Sequence, residues 1–433
     1  MNNRVDIIHT LIEMVKAEVK PAIGCTEPAT VAFAVATASK YIKGKVKEIK
    51  VKTSLNIYKN GKSVIVPGTN ECGLELSAAL GFILGDPEDG LCVFKNVNEI
   101  SLKRAKIMIK ENKVFLEPLQ GCHGIYVEVI LRGENNVRVI LNNCHTHIQS
   151  IELDGKYVFE DILSESNESS TEILKNLSFK EIRTMAEEAS FNDINFVLDG
   201  IPMNMKAAKE GLNKTSGFNL GAGLKKLQEI TGESCDSSMK ARILTAAGAD
   251  FRMSGGTLPI MTSGGSGNQG LCVILPVAVI GEKTGASEEK IARAMFFAHS
   301  INLFVKAYIG KLSSLCGCAI AAGVGASVGI TWMLGGTDDQ IAGAANNMLA
   351  NLTGMICDGA KESCSMKLST SAGEAVLSAY LACADIIVPK NIGIISGSVE
   401  QTIRSVETLC KDGLKETDEV LVQILYENSK III

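Results

Sequence analysis

Histidine, tryptophan and tyrosine are scarce in this sequence of 433 residues, which holds five, one and seven of them. That leaves little material for imidazole-based metal sites or for the aromatic platforms on which nucleic-acid binders stack bases. An excess of basic charge is also missing. Lys and Arg number 43 against 48 Asp and Glu, for a formal net charge of −5, so no positive field points to a nucleic-acid partner. An uninterrupted apolar run near the start is lacking too, because Asp6, Glu13, Lys16 and Glu18 break up MNNRVDIIHTLIEMVKAEVKP. A secretory signal does not tolerate such interruptions. Val5, Ile8, Leu11, Ile12 and Val15 recur instead at helical spacing, which predicts an amphipathic helix. A cytoplasmic location is therefore expected, where cysteines are thiols, ligands or plain core residues and not disulfides.

What the chain does hold in quantity is glycine (41 residues), cysteine (13) and a hydrophobic fraction of 46%. This excludes disorder, which needs low hydrophobicity, and the length suits about two to four domains. Two stretches, Met253–Gly281 and Leu312–Gly336, carry no Asp, Glu, Lys or Arg. The first contains Pro259, Pro276 and several glycines, which predicts loops around a site. The second is long enough to span a bilayer, but Gly, Ala and Ser dominate it and basic anchors are sparse. It reads as a buried helix, with no membrane partner.

The periodicity predicts an α+β fold. Residues 1–42 form an N-terminal helical segment carrying Cys25, 43–236 an α+β domain, and 237–433 a Gly/Ala-rich all-helical catalytic domain near which the N-terminal helices pack. KEIKVKTSLNIY alternates, and SVIVPG, CVFKNV and KVFLEPL are short β-like runs. IYVEVILRG and VRVILNN flank a turn at Glu134–Asn136, and SIELDGKYVFE turns at Asp154-Gly155, so both read as hairpins. The polar segment 162–176 reads as a linker or surface loop.

Four cysteines stand out in the helical half: Cys316 and Cys318 in SLCGCAIAAG, and Cys357 and Cys364 in MICDGAKESCSMKLS. Thiolates are the ligands that zinc and iron–sulfur clusters prefer. The spacing matches neither a ferredoxin run nor a zinc-finger knuckle, so metal, cluster and unligated core cysteine all stay open on spacing alone. Cys25 lies in KPAIGCTEPATVAFAVA, where Thr26 suits an N-cap and Glu27-Pro28 a first helical turn. A cysteine there is expected to feel the positive end of the helix dipole, which favours thiolate; a buried cysteine at a helix entry is the bland alternative.

The segment from Thr262 to Gly270, TSGGSGNQG, formally fits G-x-G-x-x-G. No strand clearly precedes it, Pro276 interrupts the run after it and no ribose-binding acid lies downstream in a βαβ context, so it is not a dinucleotide site. As a loop of backbone and side-chain donors it suits a carboxylate or phosphate, with Ser263, Gly264 and Asn268 as candidate contacts. GSGN is similar to the substrate loop of pyridoxal-phosphate lyases, but no Schiff-base lysine motif accompanies it. Lys306 and Lys311, near the cysteines, are candidate acids, bases or carboxylate partners. His145 and His147 in CHTHI are expected on one side of a strand in a structural role, and Gly121-Cys122-His123-Gly124 is ambiguous.

Taken together, PAIGCTEPATVAFA, VPGTNECG, GCHGIYVEV, TSGGSGNQG, KAYIGKLSSLCGCAIAAG and CDGAKESCSMKLS resemble the L-cysteine desulfidase family, which is related to the oxygen-sensitive iron–sulfur L-serine dehydratases. The matching segments run from about residue 21 to 370. The resemblance implies a [4Fe–4S] cluster held by three cysteines: Cys357, Cys364 and one from LCGC, with Cys318 the better match and Cys316 the alternative. It implies an open iron for substrate and an acid–base role for Cys25. The expected activity is α,β-elimination of a small amino acid, L-cysteine to sulfide, ammonia and pyruvate, with L-serine dehydration as the alternative. A zinc or small-molecule binding protein is the non-enzymatic alternative. Oligomeric state is left open, with a homo-oligomer as one option.

Overall fold

A computed structural model of the chain describes residues 2–161, 171–213, 217–232 and 234–431. Its strands are β1 (Pro21–Ala22), β2 (Glu48–Ser54), β3 (Val114–Leu119), β4 (Tyr126–Arg132), β5 (Asn136–Asn142), β6 (Ile148–Leu153), β7 (Lys156–Glu160) and β8 (Ile260–Met261). Six of them form one sheet in the order β3-β2-β4-β5-β6-β7. The β2–β3 pair is parallel and the rest are antiparallel. Both expected hairpins form, the second turning through Asp154 and Gly155 at φ of 48° and 80°, the left-handed backbone that a two-residue hairpin turn requires. One face buries Val127, Val129 and Leu131 of β4 with Val137, Val139 and Leu141 of β5, against helix Thr26–Ser39. On the other face Arg138 pairs with Glu128 at 2.9 Å and Glu152 at 2.6 Å. The α+β fold expected from the periodicity is the fold observed.

Two β-like runs do not become strands. In SVIVPG, Ile65 makes an isolated bridge to Cys72, and CVFKNV follows the 3₁₀ turn Pro87–Cys92 as a further turn. Pro67-Gly68 and the Pro87/Gly90 pair interrupt any ladder there. The expected linker 162–176 lies outside the described residues as far as 170, and 171–175 are helical.

The second half is a stack of helices that includes Ser237–Met253, Gly267–Thr284, Glu288–Ile309, Val324–Met333, Asp338–Leu352 and Cys364–Cys383. Small residues set its tight spacing. A Cβ on Gly325 would sit 2.4 Å from the Ala298 carbonyl oxygen on the facing helix. Helix Gly267–Thr284 runs on through the buried Pro276, where the sequence suggested an interruption; burial on all sides offsets the lost hydrogen bond. The Leu312–Gly336 stretch divides into a loop, a wide π-type turn at Cys318–Gly323 and helix Val324–Met333. Among the described residues no helix is long and apolar enough to cross a membrane.

Packing assigns the chain to two main cores. Leu11, Ile12, Val15 and Val19 of the first helix join the helical half, as do Phe179, Ile182 and Met185. The core of the α+β unit runs from Ala29 to Ile151, so helices within the expected 43–236 domain pack with the C-terminal half. A short clip ties the two units together: β1 pairs antiparallel with β8, Pro21 opposite Met261. The Thr262 amide donates to the Lys20 carbonyl at 2.9 Å, and the Thr262 hydroxyl donates to the Glu18 carbonyl at 2.8 Å.

The C-terminal helix Thr417–Ile431 adds a second tie. Asp418 accepts from Lys59 Nζ at 2.5 Å and from Asn56 Nδ2 at 2.6 Å, and Lys59 also donates to the Cys357 carbonyl at 2.8 Å. Lys59 and Asp418 are both buried. Removing one member of a buried ion pair strands the other and costs about 3–5 kcal/mol. Asp418→Asn is therefore expected to lower the melting temperature and to speed amide exchange around Cys357. An unchanged melting curve would show that this tie carries no stability.

Candidate active site

The β1–β8 clip delivers Cys25 to the helical half. Gly24 turns at φ 72°, and Cys25, in extended backbone, is itself the N-cap of helix Thr26–Ser39; Thr26, expected in that role, is the first helical residue. The Cys25 thiol donates to Glu27 Oε2 at 2.8 Å. Thr26 Oγ1 donates to the same oxygen at 3.1 Å, and Asn60 Nδ2 donates to Glu27 Oε1 at 2.9 Å. Burial and the neighbouring Glu27 charge push the Cys25 thiol well above its ordinary range, outweighing the pull of Arg252. The expected helix-activated thiolate is thus corrected. Cys25 is a protonated thiol aimed at a carboxylate, because desolvation exceeds the dipole's effect.

The two cysteine segments of the helical half lie side by side. The Cys316 amide donates to the Met355 carbonyl at 2.8 Å and the Cys357 amide to the Ser314 carbonyl at 2.7 Å, around a Leu315–Ile356 bridge. Cys364 is the first residue of helix Cys364–Cys383. Cys316, Cys318, Cys357 and Cys364 all line one cavity of about 90 Å³, and Cys25 and Glu27 face it from the N-terminal unit.

Within this group the thiols are not equivalent. Burial above all, with a smaller push from the charges of Cys316 and Cys357, raises Cys364 to about 11 against the opposing effects of Lys361; Cys357 is raised by burial and by Cys316. Cys318 hydrogen-bonds with Cys272 and Cys316 and also feels Cys364. Cys272, on helix Gly267–Thr284, went unnoticed in the sequence, where it reads as one more apolar residue in LCVILP.

A single metal ion needs three donors around one point, and among the described residues no His, Cys, Asp or Glu group of that kind exists. A cubane cluster makes a different demand: each ligated iron takes one thiolate at its own corner, so the thiols stand apart around a cavity. Four free thiols from two segments on one cavity fit that soft-ligand requirement.

The Gly-rich loop divides its candidates. Gly264 and Asn268 line the cavity, whereas Ser263 does not; its hydroxyl bonds His299 Nδ1 and accepts from Asn302 Nδ2, each at 2.8 Å, behind the wall. Gly264 has φ 53° and a Cβ there would meet the Lys306 side chain at 2.8 Å. Lys311 lines the cavity but donates to Glu18 Oε1 at 2.6 Å and to Cys144 Sγ at 2.6 Å. Burial alone would lower this amine, yet Glu18 and Cys144 raise it above its ordinary value, so it is a fixed cation. Lys306 is the depressed amine, pushed down to about 8 by burial, with Nζ donating to the Lys311 carbonyl at 2.7 Å.

His145 reaches the cavity from the connection between β5 and β6. It is buried, its Nε2 has no partner, and burial pushes it down to about 4 against the opposing charges of Glu27 and Glu18. His147 lies away from the cavity, bonding Asp161 and the Asn142 carbonyl at 2.9 Å each. The two histidines thus do not share one strand face, because the chain turns between them. Arg252, also missed, enters from the end of helix Ser237–Met253; its signal was a lone charge bordering the charge-free stretch.

These buried histidines set a pH dependence. In the unfolded chain a histidine takes its proton near pH 6.5, whereas folded His145 and His299 do so near 4 and 3. Between those values the unfolded state binds more protons, so stability falls as pH is lowered. Glu18 and Glu27, both held below the ordinary carboxylate range, act in the same direction at lower pH. Each histidine contributes about 2 kcal/mol of loss at pH 5. Melting curves at pH 7.5 and 5.0 are expected to differ accordingly, and to differ less in His145→Asn; equal sensitivity in that variant would exclude His145 as a source.

Residues 100–423 match the family described as serine dehydratase alpha chain. The chain belongs to this family. Its relatives include a UPF0597 protein of Clostridium botulinum (strain Okra / Type B1), 55% identical over 97% of both chains. A UPF0597 protein of Clostridioides difficile (strain 630) is 38% identical over 97% of this chain and 100% of its own. One from Clostridium tetani (strain Massachusetts / E88) is 38% identical over 96% and 98%. Membership implies a lyase-type enzyme and a family associated with iron–sulfur enzymes. The family match begins after Cys25, but the similarity to these relatives extends over nearly the whole chain, including the N-terminal unit.

Proposed function

We propose that this protein is an L-cysteine desulfidase, eliminating sulfide from L-cysteine by α,β-elimination. The observation that supports the reading is the convergence of Cys25, carried by one unit, with four thiols of the other on a single small cavity. Cys357, Cys364 and Cys316 are the thiols we assign to a [4Fe–4S] cluster, Cys316 being preferred over Cys318 because its backbone is paired with the segment that carries Cys357. When bound, the cluster supplies a Lewis acid for the leaving group.

The remaining chemistry falls to side chains. As the Cys25 sulfur removes the substrate α-proton, its own thiol proton passes to Glu27 Oε2 across their 2.8 Å hydrogen bond. The Cα–H electrons form the Cα=Cβ bond as the Cβ–S bond breaks and sulfide departs. The released 2-aminoacrylate hydrolyses to pyruvate and ammonia. Asn60 and Thr26 hold Glu27 in place, and Lys311, held by Glu18 at 2.6 Å, lines the cavity with His145.

The family match favours a second reading, loss of water from L-serine at the same site. Anaerobic purification, iron and sulfide quantitation, and pyruvate release from both amino acids in one sample separate the two. Cluster iron with cysteine preferred supports the desulfidase; serine preferred keeps the mechanism and changes the substrate. No iron after anaerobic reconstitution overturns the cluster assignment.

A further inference from the structure

The guanidinium of Arg252 is 2% exposed and faces the cavity, yet it forms no ion pair among the described residues. Nη1 donates to Asn268 Oδ1 at 2.9 Å, while Nε and Nη2 have no partner. Those two N–H groups are the parallel fork on one edge of the guanidinium, the pair that matches both oxygens of a carboxylate. The guanidinium packs directly on Gly267, where a Cβ would lie 2.5 Å from Nε. A buried cation without a counter-charge is strongly unfavourable unless something completes it. The carboxylate that faces the same cavity, Glu27, has its oxygens taken by Cys25, Thr26 and Asn60.

We infer that Arg252 is the recognition point for the α-carboxylate of the substrate, with Asn268 fixing its orientation. This rests on the reading that the cavity takes an amino acid. Cys25 lines the same cavity as this guanidinium, so a carboxylate on its free edge holds the substrate in the cavity that the proton-removing sulfur faces. The substrate class becomes small amino acids with a free α-carboxylate; amides and esters are excluded by the unpaired fork they would leave.

The test uses the cluster-loaded protein under anaerobic conditions and calorimetric titration with L-alanine, which has no leaving group, and L-alaninamide, which has no anion. Wild type is expected to bind L-alanine about 100-fold tighter than the amide. Arg252→Gln is expected to lose that discrimination, and Arg252→Lys to keep a weakened form of it with KM raised more than kcat is lowered. Asn268→Asp guards against misfolding of the Arg252 variants: it gives the guanidinium a permanent counter-charge in the first turn of a helix, where an acid is favourable. It is expected to fold with a melting temperature at or above wild type and to bind L-alanine at least tenfold more weakly. Equal binding of the two probes by wild type, no binding of L-alanine, or unchanged L-alanine affinity in Arg252→Gln and Asn268→Asp would each overturn the assignment. Arg252-dependent binding without pyruvate from L-cysteine or L-serine would uphold the recognition point and overturn the lyase reading.

Discussion

Cys25→Ser is expected to lower turnover about a thousandfold while leaving the iron content and visible absorbance unchanged. Serine keeps the size and the hydrogen bond to Glu27 but replaces a thiol with a far weaker acid, so Glu27 can no longer take its proton. Helix Thr26–Ser39 loses no cap, because the Cys25 side chain makes no capping hydrogen bond. Glu27→Gln gives an independent readout. It keeps the shape but only one of the two acceptor oxygens that serve Cys25 and Asn60, removes the proton-accepting charge, and is expected to cut kcat about a hundredfold. Removing the Glu27 charge also removes one cause that raises the Cys25 thiol, so alkylation of Cys25 should extend to lower pH in this variant. Near wild-type turnover in Cys25→Ser would show that another group takes the α-proton, with Lys306, pushed down to about 8, next to be tested.

The second large effect concerns the cluster. Cys316→Ala, Cys357→Ala and Cys364→Ala are each expected to abolish the ~400 nm iron–sulfur band and all turnover, whereas Cys318→Ala is expected to retain the band. The distinction rests on geometry. Cys316 sits on the strand-like segment paired with that of Cys357, while Cys318 lies beyond that segment at the start of the π-type turn. Removing the Cys318 thiol leaves a small buried space beside Cys272, whose cost is a modest loss of stability and not of iron. A band lost in Cys318→Ala and kept in Cys316→Ala would reverse the assignment and restore the match suggested by Gly317-Cys318.

Much of the site was legible because its residues carry chemistry that plain core positions do not need. Thiols clustered in two short segments, a cysteine opening a helix, and a dense Gly/Ser loop each stand out locally. The misses were residues whose meaning depends on what faces them. Glu27 looked like a first-turn acid, Arg252 drew no reading at the edge of an uncharged stretch, His145 looked like one of two strand histidines and Cys272 like core. Ser263 looked like a ligand contact because the loop around it is rich in donors, yet its hydroxyl is consumed by His299 and Asn302.

Alternation, hairpin turns, helical spacing and the Gly/Ala-rich second half were sufficient by themselves to determine an α+β unit followed by helices, because those patterns report local backbone geometry and burial. They also determined which thiols were candidates. Tertiary structure decided the rest: that the two-strand clip between Pro21–Ala22 and Ile260–Met261 brings Cys25 to thiols some 290–340 residues away, that Cys25 is a buried thiol and not a thiolate, and that Arg252 is left with an open edge. Ionisation and pairing are properties of an environment assembled from distant segments. Desolvation and neighbouring charge there outweigh what any one helix terminus imposes.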